Sequence, residues 1–554
     1  MRARSQQTCF RTAGATRRGT VHIVSDSANH TEHARIARGL SSEATQAGLR
    51  ALIASLGPDI VQIHPEQLRQ LEHATYATDQ RFVAWVRPLS EPQTVLAVRI
   101  ASAHRLSLHV VSTGKNWGYG SRLAVRDGCV LLDLSGLDRI VDFSEELGFI
   151  RVEPGVTFEH AYRFLCEKQS RLILSVTGSA PQTSLIGNAL ERGIGRGPYS
   201  DRFAHTCALK VLLPTGEVIH TDFARFEGSL TANLHRWGLG PSLDGLFSQS
   251  NFGIVLEMTH WLTRRPPFLG GLDIECADDD LPAVVDTLRE LRLEQLIQQA
   301  SLMNAYRLLT LMTRIPRPVA RMSGAERQAA LAGFLQSQGL SFRWRGLLEL
   351  AGGTRDEIDA RVGYLTSRLQ GKATCLAMPA YDTSQPPEPQ HLRQLGIPNT
   401  QDLPAAYWRK SFWPRPGSEL HPDRDRCGVL WLAPTVPLLG SAVTALASRL
   451  GQSILDHGFE PAMTVRLANE RCAEIICLLT YDRDLPEEEA RALACHDALV
   501  EQLFDSGHSL YRLSTRSMDS IPPGRDQTDA VVRRLQRALD PQGLLNPGRY
   551  DSSK

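Results

Sequence analysis

Apolar residues recur at helical spacing over 45–75, which predicts helix there. The texture then changes. The run FVAWVRPLSEPQTVLAVRIASAHRLSLHVVSTG (82–114) predicts a strand, a Pro-containing turn, a helix under VLAVRIA, a strand under LHVVS, and then a glycine loop. Short β-rich units follow at GCVLLDLSGL and GFIRVEPGV, with a helix at FEHAYRFLCEK. Beyond the Gly/Ser/Thr-rich stretch TGSAPQTSLIGNALERGIGRGPYSDR, strands are predicted at ALKVLLPTGEVIHT and GLFSQSNFGIVLEMTHWLT. This is an α+β pattern with antiparallel hairpins rather than a run of regular βαβ units. From about Pro266 the glycine density falls, and long amphipathic helices and strands alternate up to about 485. That reads as a second domain inserted into the first. Residues 383–426 are rich in Pro and charge and predict irregular chain. The tail LQRALDPQGLLNPGRY ends a helix in a Pro/Gly turn.

One segment mimics a membrane span. GVLWLAPTVPLLGSAVTALAS (428–448) is uncharged and long enough, but Pro434, Pro437 and Gly440 interrupt it. A strand, a turn and a buried helix account for it better. The first 25 residues carry Arg2, Arg4, Arg11, Arg17 and Arg18 without an apolar core, so they predict no secretory signal and a disordered tail or a start codon set too early, with an amphipathic organelle-targeting peptide as the alternative.

Composition narrows the function. The 554 residues are 42% hydrophobic and carry a net charge of +1, ordinary values for a globular protein and a poor fit to a nucleic-acid binder. The ten cysteines are scattered with no C-x-x-C pair, which argues against a zinc ribbon or disulfide framework. A reducing, cytoplasmic setting is the expectation. No metal site is expected either.

The chemistry gathers in two glycine loops, GKNWGYGS (114–121) and ERGIGRGP (191–198). Neither completes G-x-G-x-x-G, and no Walker A motif occurs. A single loop of this kind reads as a tight turn. Two of them, flanking a Ser/Thr/Gln-rich stretch, point to a large phosphate-bearing cofactor whose diphosphate meets backbone N–H groups.

With these loops, VEPGVTF (152–158), SLIGNALERGIG (184–195), PYSD (198–201), VLLPTGEVIHT (211–221), LDGLFSQSNFGIVLEM (243–258), YRLSTR (511–516) and LDPQGLLNPGR (539–549) occur in that order. Together they resemble the vanillyl-alcohol oxidase and p-cresol methylhydroxylase family of flavoenzymes, over roughly residues 50–550. The resemblance implies an α+β fold: a two-subdomain FAD-binding domain (46–266), an inserted α+β cap domain (267–500) and a C-terminal return (501–554), behind the tail at 1–45. It implies FAD held by Gly114, Lys115, Asn116, Gly118, Gly120, Ser121, Gly187, Asn188, Gly193 and, at the adenine end, Val255. It implies that Tyr119, Tyr511 and Arg512 bind the oxygen of a para-substituted phenol, and that Arg549 stands near the flavin pyrimidine.

The pattern also departs from the family. The position of a tethering His is Val429, and that of a tethering Tyr falls near Ser411, although His421 lies between them. Non-covalent FAD is therefore expected. The Asp that faces flavin N5 in oxidase-type relatives is Ser179 here, which leaves a cytochrome open as electron acceptor. An acid and His pair of the cap is replaced within AMTVRLANERCAE. A homo-oligomer is the expected assembly. Two other readings stay open: an FAD dehydrogenase of a 2-hydroxy acid or sugar alcohol, and a non-catalytic protein that keeps the flavin fold.

Overall fold

The computed structural model describes residues 43–340 and 343–551, so the Arg-rich stretch lies outside the described residues. The expected helix over 45–75 is two helices, Glu43–Leu56 and Pro65–Leu71, with the short strand Val61–Gln62 between them. Gly57, at φ 86°, and Pro58 make the break: the glycine takes a left-handed conformation and the proline cannot extend the helix.

The first sheet has the order Val61–Gln62, Phe82–Val86, Cys129–Asp133, Leu108–Val111. Its last three strands are parallel, where hairpins were expected. The helix Glu91–Ala103 provides the crossover, and every residue of Cys129–Asp133 is buried, as a parallel strand covered on both faces requires. The chain's end returns here. The Leu108 N–H donates to the Leu544 carbonyl at 2.9 Å, and the Asn546 N–H to the Leu108 carbonyl at 2.7 Å. The NPGRY turn is thus docked beside the first glycine loop.

The second sheet is antiparallel throughout, in the order Ile140–Ser144, Phe149–Val152, Ile254–Trp261, Thr206–Leu212, Val218–His220. Helices Phe158–Glu167 and Leu185–Leu190 pack on it through Phe158, Ala161, Leu185 and Ile186. Ser184 caps the second helix by accepting the Gly187 N–H at 3.0 Å, which fixes the SLIGN turn.

The third sheet has eight strands, all between Phe268 and Asp482. Its order is Thr374–Asp382, Phe268–Cys276, Trp344–Gly352, Ala300–Asn304, Ala462–Leu467, Cys472–Asp482, Cys427–Leu432, with Thr435–Pro437 also paired to Cys472–Asp482. Helices Leu281–Leu293, Arg355–Leu369, Gly440–Asp456 and Pro486–Asp505 contribute Leu288, Leu365, Leu450 and Leu499 to the core on one face. Side chains alternate along a strand, so Ala300 and Leu302 join that core while Ser301 and Met303 face the opposite way, into a cavity. The apolar 428–448 segment is therefore strand, turn and buried helix. No helix among the described residues is long and apolar enough to cross a membrane. Residues 383–426 carry no strand, only the short 3₁₀ turns Pro389–His391 and Leu403–Tyr407.

Candidate functional site

The bare face of the eight-stranded sheet and the two glycine loops enclose a cavity of about 450 Å³. Of the residues expected to hold FAD or the phenol, all but Gly118 and Gly120 line it. Those two have a different job. A Cβ at Gly118 would collide with the Trp431 indole, and one at Gly120 with the Thr515 side chain; both glycines have positive φ, at 80° and 122°. They let the loop lie against its neighbours, so their link to a cofactor runs through the loop's shape.

Two buried side chains pin GKNWGYGS to the cap. Thr75 Oγ1 accepts the Gly118 N–H at 3.0 Å and donates to the Val429 carbonyl at 2.8 Å. Asp423 accepts from Trp117 Nε1 at 3.0 Å and from Ser121 Oγ at 2.8 Å. Burial pushes the Asp423 carboxyl up to about 6, against these hydrogen bonds and the Arg122 and Lys115 charges.

Tyr119, Tyr511 and Arg512 come together from opposite ends of the chain. The Arg512 guanidinium lies 4.3 Å from the centroid of the Tyr119 ring, and the Tyr511 side chain is a hydrogen-bonding neighbour of Tyr119. Burial, then Tyr511, hold the Tyr119 phenol well above its ordinary value, so Tyr119 stays a donor. The Tyr511 backbone N–H donates to the Ala433 carbonyl at 3.2 Å, which sets the Tyr-Arg pair at the end of the VLWLA strand.

Glu191 organises the cationic end of this wall, and sequence reasoning quoted its motif without choosing it. Its carboxylate pairs with Arg549, lies 3.3 Å from Arg512 Nε and accepts from Tyr550 Oη at 3.1 Å. Burial alone would raise its pKa, but Arg549 and Arg512 together hold it below the usual range. Arg512 also donates to Asn116 Oδ1 in the glycine loop. The signal for Glu191 was a lone carboxylate between glycine turns, and only folding brings both arginines to it.

The cavity fits a flavin nucleotide. Among the described residues, the buried hydroxyls of Thr183 and Ser250 line the wall without a hydrogen-bond partner. Gly187 and Gly193 line the cavity and also pack closely, since a Cβ at Gly193 would collide with the Asn188 amide and one at Gly187 would come within 3.1 Å of Ser112 Oγ. Val429 and Ser179 line the cavity, while Ser411 is exposed and away from it. His421 stands 3.0 Å from Lys115 Nζ; burial and then Lys115 lower it to about 4, so it is neutral near pH 7.

The comparisons agree with this geometry. Residues 83–222 match the model of an FAD binding domain. The chain is 38% identical over 534 residues to the 1'-carboxy-chondrochloren decarboxylase of Chondromyces crocatus, covering 92% of this chain and 98% of that protein. It is 27% identical to the 4-cresol dehydrogenase [hydroxylating] flavoprotein subunit of Pseudomonas putida, covering 93% and 97%. A crystal structure of p-cresol methylhydroxylase with substrate bound superposes with a TM-score of 0.81 at 26% identity, covering 93% of this chain and 98% of that one. The chain belongs to the p-cresol methylhydroxylase family. As a family member it is an FAD-dependent oxidoreductase with the two-subdomain FAD-binding fold.

Proposed function

We propose that this flavoenzyme oxidises a para-substituted phenol at its benzylic carbon. The observation that carries the reading is the meeting of Tyr119, Tyr511 and Arg512 on one wall of the cavity. Two phenolic O–H donors and a permanent cation make a cradle for a phenolate oxygen. Ionising the phenol pushes electrons through the ring and weakens the benzylic C–H bond toward hydride loss. The glycine loops would hold FAD without a covalent tether, FAD when bound would supply the hydride-accepting chemistry, and Arg549 would place a cation beside it. The substrate leaves as a p-quinone methide, to which water adds.

A second reading has one observation in its favour. Arg466 and Glu474, in the cap stretch expected to carry an acid and a His, are paired with each other, so no free base stands there to activate water. With a carboxylate on the carbon next to the benzylic one, the quinone methide collapses differently. The electrons of the C–CO₂⁻ bond form the new C=C bond, CO₂ leaves, and the ring recovers its phenol proton. The C. crocatus relative is named as a decarboxylase.

The test is anaerobic mixing of the holoenzyme with a 4-alkylphenol and with its O-methyl ether. The phenol should bleach the flavin, and the ether, which cannot ionise, should react at least ~100-fold more slowly. Equal rates would overturn the phenolate mechanism. The same reduced sample reports the acceptor: slow reoxidation in air supports a cytochrome-class partner, which fits Ser179 at the oxidase Asp position, and reoxidation at the turnover rate rejects it.

A further inference from the structure

One cluster of positive charge in the cavity wall belongs neither to the glycine loops nor to the Tyr119–Arg512 cradle. Glu191 balances one of Arg512 and Arg549. Arg466 is matched by Glu474, and Arg196 by Glu349 at 3.4 Å. On the cap side a fourth group is also one carboxylate short. Arg393 Nη2 lies 2.8 Å from Asp402 Oδ1, and Arg307 is a second close charge on the same carboxylate. Arg307 is 6% exposed, and its Nη1 donates to Thr310 Oγ1 at 3.0 Å. Arg393 Nε is buried without a hydrogen-bond partner among the described residues. Two guanidiniums thus share one carboxylate, and all three residues line the cavity.

A buried net positive charge is costly unless an anion completes it. The glycine loops expected to hold the FAD phosphates belong to the other domain, whereas Arg307, Arg393 and Asp402 all sit in the cap sequence. Asp402 abuts the loop that holds Ser179: a Cβ on Gly178 would come within 2.6 Å of Asp402 Oδ2. The cluster shares no carboxylate with the Tyr119–Arg512 cradle. We propose that Arg307 and Arg393, oriented by Asp402, form a subsite for a carboxylate on the side chain of the phenolic substrate. The substrate class is then a para-hydroxyphenyl acid, anionic at both ends when its phenol ionises. Guanidinium suits this task because its planar fork meets a carboxylate with paired N–H donors. The proposal rests on the phenol reading for the other end of the molecule.

Three probes of one skeleton test it: 3-(4-hydroxyphenyl)propanoate, its primary amide and 4-propylphenol. Binding is followed by perturbation of the flavin spectrum, and reduction by anaerobic bleaching. Wild-type holoenzyme should bind the acid at least ~10-fold more tightly than the amide, since losing a charged hydrogen bond commonly costs that much or more. Arg307→Met and Arg393→Met should each shrink the acid-to-amide ratio about tenfold, and Arg307→Lys should restore part of it. Equal binding of acid and amide by wild type overturns the subsite without any variant. So does a ratio unchanged in both Met variants. If 4-propylphenol bleaches the flavin while the acid has no advantage, the subsite falls and the phenol reading stands. If no probe bleaches it but the acid alone perturbs the spectrum, the phenol reading falls and the subsite stands.

Discussion

At the scale of single residues, Glu191 decides the electrostatics of the site. It keeps Arg512 and Arg549 charged in a place where burial alone would weaken their hold on a proton. Arg512 is therefore tied both to the cradle and, through Asn116, to the cofactor loop. Its replacement should disturb flavin retention as well as catalysis. The cleaner probe is Glu191→Gln, which conserves shape and removes only the charge. Two buried guanidiniums would then lack their carboxylate, and losses of roughly 3 kcal/mol are usual for such a break. The thermal midpoint should fall by several degrees, and the anaerobic reduction rate should fall with it. An unchanged midpoint would mean that the pair is solvated and that Glu191 is incidental.

At the scale of elements, the GKNWGYGS loop depends on the cap for its shape. Thr75 and Asp423 staple it to residues that lie more than 300 positions away in the chain. Asp423 makes the staple pH-dependent. Its folded pKa of about 6 lies above the ordinary value near 3.9, so the folded state binds the extra proton between about pH 4 and 6. The stabilisation is full below about pH 4 and is lost as pH rises through 6. Asp423→Asn keeps an acceptor for Trp117 and a donor for Ser121 Oγ but cannot ionise. The difference in thermal midpoint between pH 5 and pH 7.5 should shrink in the variant relative to the parent, and an identical difference would remove Asp423 from the account. The parallel sheet teaches a related lesson at this scale. The short apolar run CVLLD was legible as a strand, but its pairing partners were not, because periodicity reports which residues are buried and not what covers them.

At the scale of the whole molecule, one cavity is lined by strands of three sheets that share no strand. The chain's last turn returns to the first sheet at Leu108 and carries Arg549 with it. We propose that the FAD is held without a covalent tether. Val429 cannot form one, and Ser411 is on the surface. We expect denaturation in acid or guanidinium to release all flavin into the supernatant. Flavin fluorescence staying with the protein band in a denaturing gel would contradict this and point to His421.

The sequence alone determined the family, the flavin and many of the helices and strands. Those depend on local signals: glycines where the backbone needs positive φ or close approach, apolar periodicity, and motifs that hold their order along the chain. It also singled out Tyr119, Tyr511, Arg512 and Arg549, because each sits inside a short motif, and all four line the cavity. Tertiary structure alone decided what those residues touch. Gly118 and Gly120 read as cofactor contacts and are packing contacts, since only the fold brings Trp431 and Thr515 against them. Glu191, Arg307, Arg393 and Asp402 gave little signal, because a charged residue in a loop is usually solvated. Their meaning comes from burial and from partners distant in sequence, and electrostatic energy depends on distance in space and on local dielectric, which the chain order does not encode.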